Sequence, residues 1–244
     1  RGIFEVMRGS RFRRPAGTLL MAFLTLSVLP MDSAGAIEFT SLDVNFGQLW
    51  IGNAYKEDAA GDPVQGSDVS PLNLAGGVGS LVEIVPGVLF NPSIDFYWQE
   101  YLYTESGKVV PTQIETGTAV GPIAGTLGII LSVPYVYPIS LSEELELFLG
   151  ASPSFLLRFP LRPVEDADTA DLTSYFYSSG RFFYPELQAK LFYTLTDSVS
   201  LGFSLRIFVP IHNLWDEFDV AFWDELMLLP HIAVRIHTGS QEEQ

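Results

Sequence analysis

Between residues 186 and 209 apolar and polar side chains alternate on both sides of Thr196-Asp197-Ser198. The first arm sets Leu187, Ala189, Leu191 and Tyr193 against Glu186, Gln188 and Lys190. The second sets Leu201, Phe203, Leu205, Ile207 and Val209 against Ser200, Gly202, Ser204 and Arg206. A period of two means extended strands with two unlike faces, joined here as a hairpin. The arms approach the roughly nine to eleven residues that a membrane-crossing strand needs, against about five or six in a soluble sheet. A half-buried soluble sheet also alternates, so the rest of the chain has to decide what covers the apolar face.

The same pattern recurs along nearly the whole chain, and no segment offers itself as a cover layer. Further strands are expected over 41–51 (Leu42, Val44, Phe46 against Asp43, Asn45, Gly47), 78–90 (Val82, Ile84 against Glu83) and 94–103 (Ile94, Phe96, Trp98 against Asp95, Tyr97, Gln99). Others follow over 123–137 (Leu127, Ile129, Leu131, Val133 against Thr126, Gly128, Ser132), 144–159 (Leu145, Leu147, Leu149 against Glu144, Glu146, Gly150) and 226–237 (Ile232, Val234, Ile236 against Ala233, Arg235, His237). With the opening hairpin that makes eight strands, and the connections between them alternate long and short, with short turns expected at Asn91-Pro92-Ser93 and 138–143. Membrane barrels keep short turns on the periplasmic side and long loops outside. The expected fold is therefore all-β: an eight-stranded antiparallel transmembrane β-barrel with four long extracellular loops, lipid as cover, and both ends in the periplasm. Trp50, Tyr101, Tyr103, Tyr135, Tyr137 and Tyr184, near the strand ends, suit interfacial girdles.

Residues 1–36 read as an export signal. Arg8, Arg11, Arg13 and Arg14 form a basic start, 16–29 an apolar run too short to span a membrane as a helix, and Ala34-Gly35-Ala36 a cleavage site with Ala34 and Ala36 at the two small positions. Met7 is a natural start, with residues 1–6 upstream of it. The mature barrel, 37–244, should begin at Ile37, and N-terminal sequencing of membrane-extracted protein checks this. From Ile37 onward 8 basic residues face 27 acidic ones, which excludes nucleic acid as a partner. Cysteine is absent, which removes disulfides, thiolate metal sites and a lipid-modified cysteine.

With signal, strand number and loop asymmetry in place, residues 36–237 resemble the small outer-membrane barrels, and most specifically the eight-stranded OmpW-like family. The chain departs from many such barrels at its end, where a final aromatic is usual and Arg235-Ile236-His237 continues into polar residues. The resemblance implies the outer membrane of a diderm bacterium, a multi-pass, porin-like barrel with loops at the cell surface, and passage of small solutes, hydrophobic ones included.

An eight-stranded barrel has an interior that side chains can fill. The inward faces carry a lumen charge network of Asp43, Glu83, Asp95, Glu144, Glu146, Glu186, Gln188, Lys190, Arg206 and Arg235. If Thr196-Asp197-Ser198 is a three-residue loop pairing Leu195 with Val199, Gln188 faces Arg206 and Arg206 is the hub. Inward Gly47, Gly128, Gly150 and Gly202 leave either a narrow passage or relief for curvature. The last long connection interleaves Trp215, Phe218, Phe222 and Trp223 with acids; at helical spacing Trp215, Phe218 and Phe222 share a face, an apolar mouth or a pad packed on the barrel. No catalytic residues, cofactor or metal site are expected. His212, His231 and His237 accompany no hydrolase motif, although His231 or His237 with a nearby Ser is the one pair a lipid hydrolase could use. The acidic clusters Glu57, Asp58, Asp62; Glu165, Asp166, Asp168, Asp171; and Asp216, Glu217, Asp219 lack EF-hand spacing. Two classes stay open: passage of small solutes through a narrow lumen or a lateral route, and a surface-exposed adhesin or structural protein whose acidic loops meet host ligands. In either, outer-membrane lipid is the constant partner and the chain is a monomer or weak oligomer.

Overall fold

The computed structural model describes residues 38–52, 55–57, 63–65, 73–103, 109–111, 123–162, 169–215 and 225–238. The export signal and its cleavage residues Ala34 and Ala36 lie outside them. Eight antiparallel strands form a closed ring among the described residues. They are β1 (Glu38–Ile51), β2 (Asn73–Val85), β3 in two segments (Val88–Phe90 and Ser93–Tyr103), β4 in two segments (Ile123–Ser132 and Tyr135–Ser140), β5 (Leu145–Arg162), β6 (Phe183–Thr196), β7 (Val199–Phe208) and β8 (Met227–His237). Each pairs with its neighbours in sequence, and β8 pairs with β1 to close the ring. The one α-helix among the described residues, α1 (Thr169–Tyr177), lies in the β5–β6 connection, and no described helix is long and apolar enough to cross a membrane.

The stagger of the ring follows from the pairings. From Phe148 of β5 the inward residues run through Lys190, Ser204, His231, Gly47, Ala75, Tyr97 and Gly128, and return to β5 at Arg158, ten residues further on. A shear of that size over eight strands corresponds to a strand tilt of about 40° and a radius of about 8 Å, taking ordinary strand rise and spacing. Outward positions are apolar: Leu42, Val44, Phe46, Val78, Ile94, Phe96, Leu187, Leu201, Phe203, Ile232 and Val234 are exposed, while alternate positions are buried. A surface of that kind around a closed ring has lipid as its cover, so this is a transmembrane β-barrel.

Three details differ from the sequence expectation. The β2–β3 turn is Pro86-Gly87, with Gly87 at φ +81, and Val88–Phe90 already pairs back onto β2. The Asn91-Pro92-Ser93 stretch is instead a break inside β3, and it turns Asn91 into the lumen. The β6–β7 turn is two residues, because Thr196 pairs with Val199 and a bulge absorbs Leu195; the bulge keeps Gln188 opposite Arg206. Among the aromatics expected at girdles, Trp50, Tyr135 and Tyr137 are exposed on the outer surface, whereas Tyr101 and Tyr184 are buried inside the barrel; the Tyr103 side chain lies outside the described residues.

The inward glycines are occupied rather than empty. A Cβ at Gly128 would fall inside the Tyr97 ring, at Gly202 against Phe192, and at Gly150 against Gln188 and Val136. At Gly47 the obstacle is the Pro230–His231 backbone of β8, which cannot swing aside. Gly47→Val should therefore abolish the fast-migrating folded form in a mild detergent gel. A variant that retained that form would mean that the β1–β8 seam can open without cost.

Candidate functional site

The barrel interior is the place where polar chemistry is concentrated, and it is layered. Towards the short-turn end Asp43 of β1 accepts two hydrogen bonds from Arg235 of β8, from Nε at 2.7 Å and from Nη2 at 2.9 Å. This pair straddles the closing seam. The Arg235 guanidinium is stacked at 3.8 Å from the Phe192 ring centroid and 4.7 Å from that of Phe148. Lys190 donates to the Asn91 side-chain oxygen, Asn91 donates to Asp43 at 3.2 Å, and Lys190 stands 4.0 Å from the same carboxylate. The break in β3 thus supplies the amide that joins lysine to aspartate. Apolar Leu81, Val136, Phe148, Phe192 and Ala233 pack around this layer.

The middle layer is organised on Arg206. Its Nε donates to Glu186 at 2.6 Å, its Nη2 to Glu186 at 3.1 Å and to Ser132 at 2.7 Å, and its Nη1 to Asp95. Ser132 and Ser154 also donate to Glu186, at 2.6 and 2.5 Å. Asp95 lies on β3 and Arg206 on β7, four strands apart in a ring of eight, so the guanidinium bridges opposite walls. All of these side chains are buried. Beyond them, towards the long connections, Leu49, Ile51, Ala75, Tyr97, Ile130, Leu156, Tyr184, Phe208, Met227 and Leu229 form an apolar layer.

The layers bring together Asp43, Asp95, Glu186, Lys190, Arg206 and Arg235, with Gln188 buried beside them. Three carboxylates of the expected network do not join it, because each belongs to a strand end next to a turn. Glu83 folds back to accept the Gly87 amide at 2.7 Å. Glu144 sits in the β4–β5 turn, exposed, and accepts the Tyr193 hydroxyl at 2.6 Å. Glu146 is only half-buried, two residues from that turn. Asn91, Ser132 and Ser154 belong to the interior and were not expected as members; the inward parity of Ser132 was the one available signal.

The mouth at the long-connection end is built on α1. Leu172 and Phe176, at i and i+4, are fully buried and pack on Tyr101. That spacing was the sequence signal for a helix inside what reads as an acidic loop. The helix ends through Ser179 and Gly180 at positive φ, and Trp215 packs over Gly180 while donating from Nε1 to Ser179 at 2.7 Å. The Tyr177 hydroxyl bonds the Arg158 backbone amide at 3.1 Å, and burial raises its phenol above the ordinary range. Of the four expected mouth aromatics, Trp215 is exposed at this rim; Phe218, Phe222 and Trp223 lie outside the described residues, as do the side chains of the acidic clusters. No group of metal-ligating side chains occurs among the described residues.

The histidines are separate. His231 is buried in the lumen, His212 beneath the rim against Tyr184, and His237 at the far end with Nε2 2.8 Å from the Ser200 hydroxyl. That last pair is only part-buried, at the end of β8, and among the described residues no carboxylate orients the imidazole.

No protein-family model matches the chain, and no curated protein does. Solved structures match it in outline. Neisserial surface protein A is 9% identical over 83% of this chain and 99% of its own, with a TM-score of 0.43. Ail, the attachment invasion locus protein of Yersinia pestis, solved with the heparin analogue sucrose octasulfate, is 9% identical over 81% and 96%, with a TM-score of 0.37. An outer membrane channel from Pseudomonas putida F1 is 10% identical over 86% and 98%, with a TM-score of 0.31. Likeness of this degree carries no functional assignment.

Proposed function

We propose that the protein is an outer-membrane barrel with a closed axis, which acts as a surface-interaction protein through the end that bears its long connections. The observation that carries this reading is Arg206 bonded to opposite walls of the lumen, to Asp95 on β3 and Glu186 on β6. A solute moving along the axis would have to break that bridge, the Asp43–Arg235–Lys190 layer and the apolar layer in turn. Gly128, Gly150 and Gly202 give it no room, since neighbouring side chains stand where their own would be. On this reading the long connections face the outside of a diderm cell, their acidic sequences meet partners of positive charge, the barrel is a monomer or weak oligomer in lipid, and no catalysis is involved. Planar-bilayer recording on the purified barrel should give no steady unitary conductance, and a stable ohmic conductance would overturn the reading.

A second reading, the lateral passage of small apolar solutes that the OmpW-like resemblance implies, is favoured by one feature. Leu214 and Trp215 lie side by side at the rim, 67% and 53% exposed. Uptake of an apolar probe into liposomes, accelerated by the native barrel and lost when Trp215, Phe218, Phe222 and Trp223 become Ser, would favour this route over the first.

A further inference from the structure

The apolar outer wall carries one polar group that its own chain does not satisfy. Along β1 the outward side chains run Leu42, Val44, Phe46, Gln48 and Trp50, and Gln48 is exposed like the rest. It stands one outward position above Phe46, which pairs with Ile232 at mid-barrel, and one inside Trp50, so it lies in the hydrocarbon band. Its amide has no hydrogen-bond partner among the described residues. The neighbouring polar side chains of that wall are closed onto backbone instead: Thr40 donates to the Leu81 carbonyl at 3.1 Å and Ser80 to the Ser41 carbonyl at 2.6 Å. An open carboxamide keeps donors and acceptor unmet, and acyl chains offer nothing to meet them.

Beside Gln48 is a notch that the packing of this chain does not require. Gly76 of β2 pairs with Phe46 on one side and with Phe96 on the other, and both rings are exposed on the outer surface. A Cβ at Gly76 would meet nothing nearer than the Asn45 carbonyl at 3.5 Å, an ordinary contact, whereas at Gly47, Gly77 and Gly128 it would strike a neighbour. Glycine weakens a strand, and one that its own barrel has no need of marks a place where another surface comes close. The pairing climbs around the tilted ring, which lifts Gly76 above Phe46 to nearly the level of Gln48.

We propose that this face, formed by Phe46, Gln48, Leu74, Gly76 and Phe96, pairs with the same face of a second copy of the barrel. Two copies inserted in the same direction are related by a two-fold axis along the membrane normal, so each residue meets its own level. A carboxamide is its own complement there: each Gln48 donates one N–H to the other and accepts one in return. Gly76 lets the two walls approach, and the Phe46 and Phe96 rings close around the contact. Lipid does not fit this place, because head groups lie beyond the level of Gln48 and acyl chains carry no hydrogen-bonding atom. The pairing holds whether or not the axis conducts, and whatever the long connections meet.

Sedimentation equilibrium of the folded barrel in density-matched detergent micelles tests it. The native barrel should associate reversibly to a dimer as its concentration in the micelles rises. Gln48→Met, which keeps the length and loses the amide, should weaken the dimer about tenfold. Gly76→Val, which fills the notch, should weaken it at least as much. Leu187→Ala, on the outer face of β6 four strands from β2, should leave it unchanged. Heat-modifiable gel mobility establishes folding for each variant, and Gln48→Met decides the matter if Gly76→Val does not fold. A native barrel that stays monomeric at every concentration, a dimer of unchanged strength in Gln48→Met, or equal weakening by Leu187→Ala would each overturn the assignment. So would a monomer that carries a lipid in native mass spectrometry and loses it in Gln48→Met, which would give the face to lipid.

Discussion

Arg206→Ala should lower the unfolding free energy of the barrel by about 3 to 5 kcal/mol, the usual consequence of removing one partner from a buried ion pair. The residue it leaves behind is the reason. Glu186 keeps the serine hydroxyls of Ser132 and Ser154 but loses the two guanidinium bonds that balance its charge, and Asp95 loses the cation on the opposite wall. Urea titration in lipid vesicles should show a lower midpoint with an unchanged slope, since the surface exposed on unfolding stays the same. The cost belongs to the stranded carboxylates, so it should be largely recovered when they are neutralised together. Arg206→Met combined with Asp95→Asn and Glu186→Gln is expected to unfold near the native midpoint. A single variant with an unshifted midpoint would place Arg206 outside the network, and a triple variant no better than the single one would mean that the bridge itself, rather than the stranded charge, sets the stability.

How far the interior could be read from the chain depends on what alternation encodes. Period two assigns a face, so the inward parity of Asp43, Asp95, Glu186, Lys190, Arg206 and Arg235 is visible in sequence. It does not assign a height in a tilted ring. Glu83, Glu144 and Glu146 share the parity of the buried acids, yet they stand beside turns, where their carboxylates reach solvent or a turn amide. Height also decides who meets whom: the hairpin shows Gln188 opposite Arg206, but the contact between Arg206 and Asp95 crosses the lumen and depends on the shear of the whole ring. Asn91 was hidden by competing turn signals. Asn91-Pro92 and Pro86-Gly87 both mark turns, and only the second closes a hairpin, leaving the first as a break that aims its amide inward. The aromatic surroundings of Arg158 were not legible, because the rings come from β3, β6 and a helix embedded in a segment rich in acids.

The outer surface gives the second large effect, and its sign separates lipid from water. Phe203 is 56% exposed in the middle of β7 and pairs outward with Leu191 on one side and Ile232 on the other, with Phe46 next beyond Ile232. These four form an apolar rung at mid-barrel. In a soluble sheet a position so exposed would accept arginine with little change, within the small range usual for surface substitutions. In a bilayer the same guanidinium lies in hydrocarbon, near the midplane, where arginine costs about 2 to 4 kcal/mol. Phe203→Arg should therefore shift the urea midpoint in vesicles well below that of the native barrel. Moving the substitution outward along the wall to Tyr137, near the β4–β5 turn, should reduce the loss to about 0 to 1 kcal/mol, as the side chain reaches the interface. Equal and negligible effects at both positions would mean that the apolar belt does not face lipid.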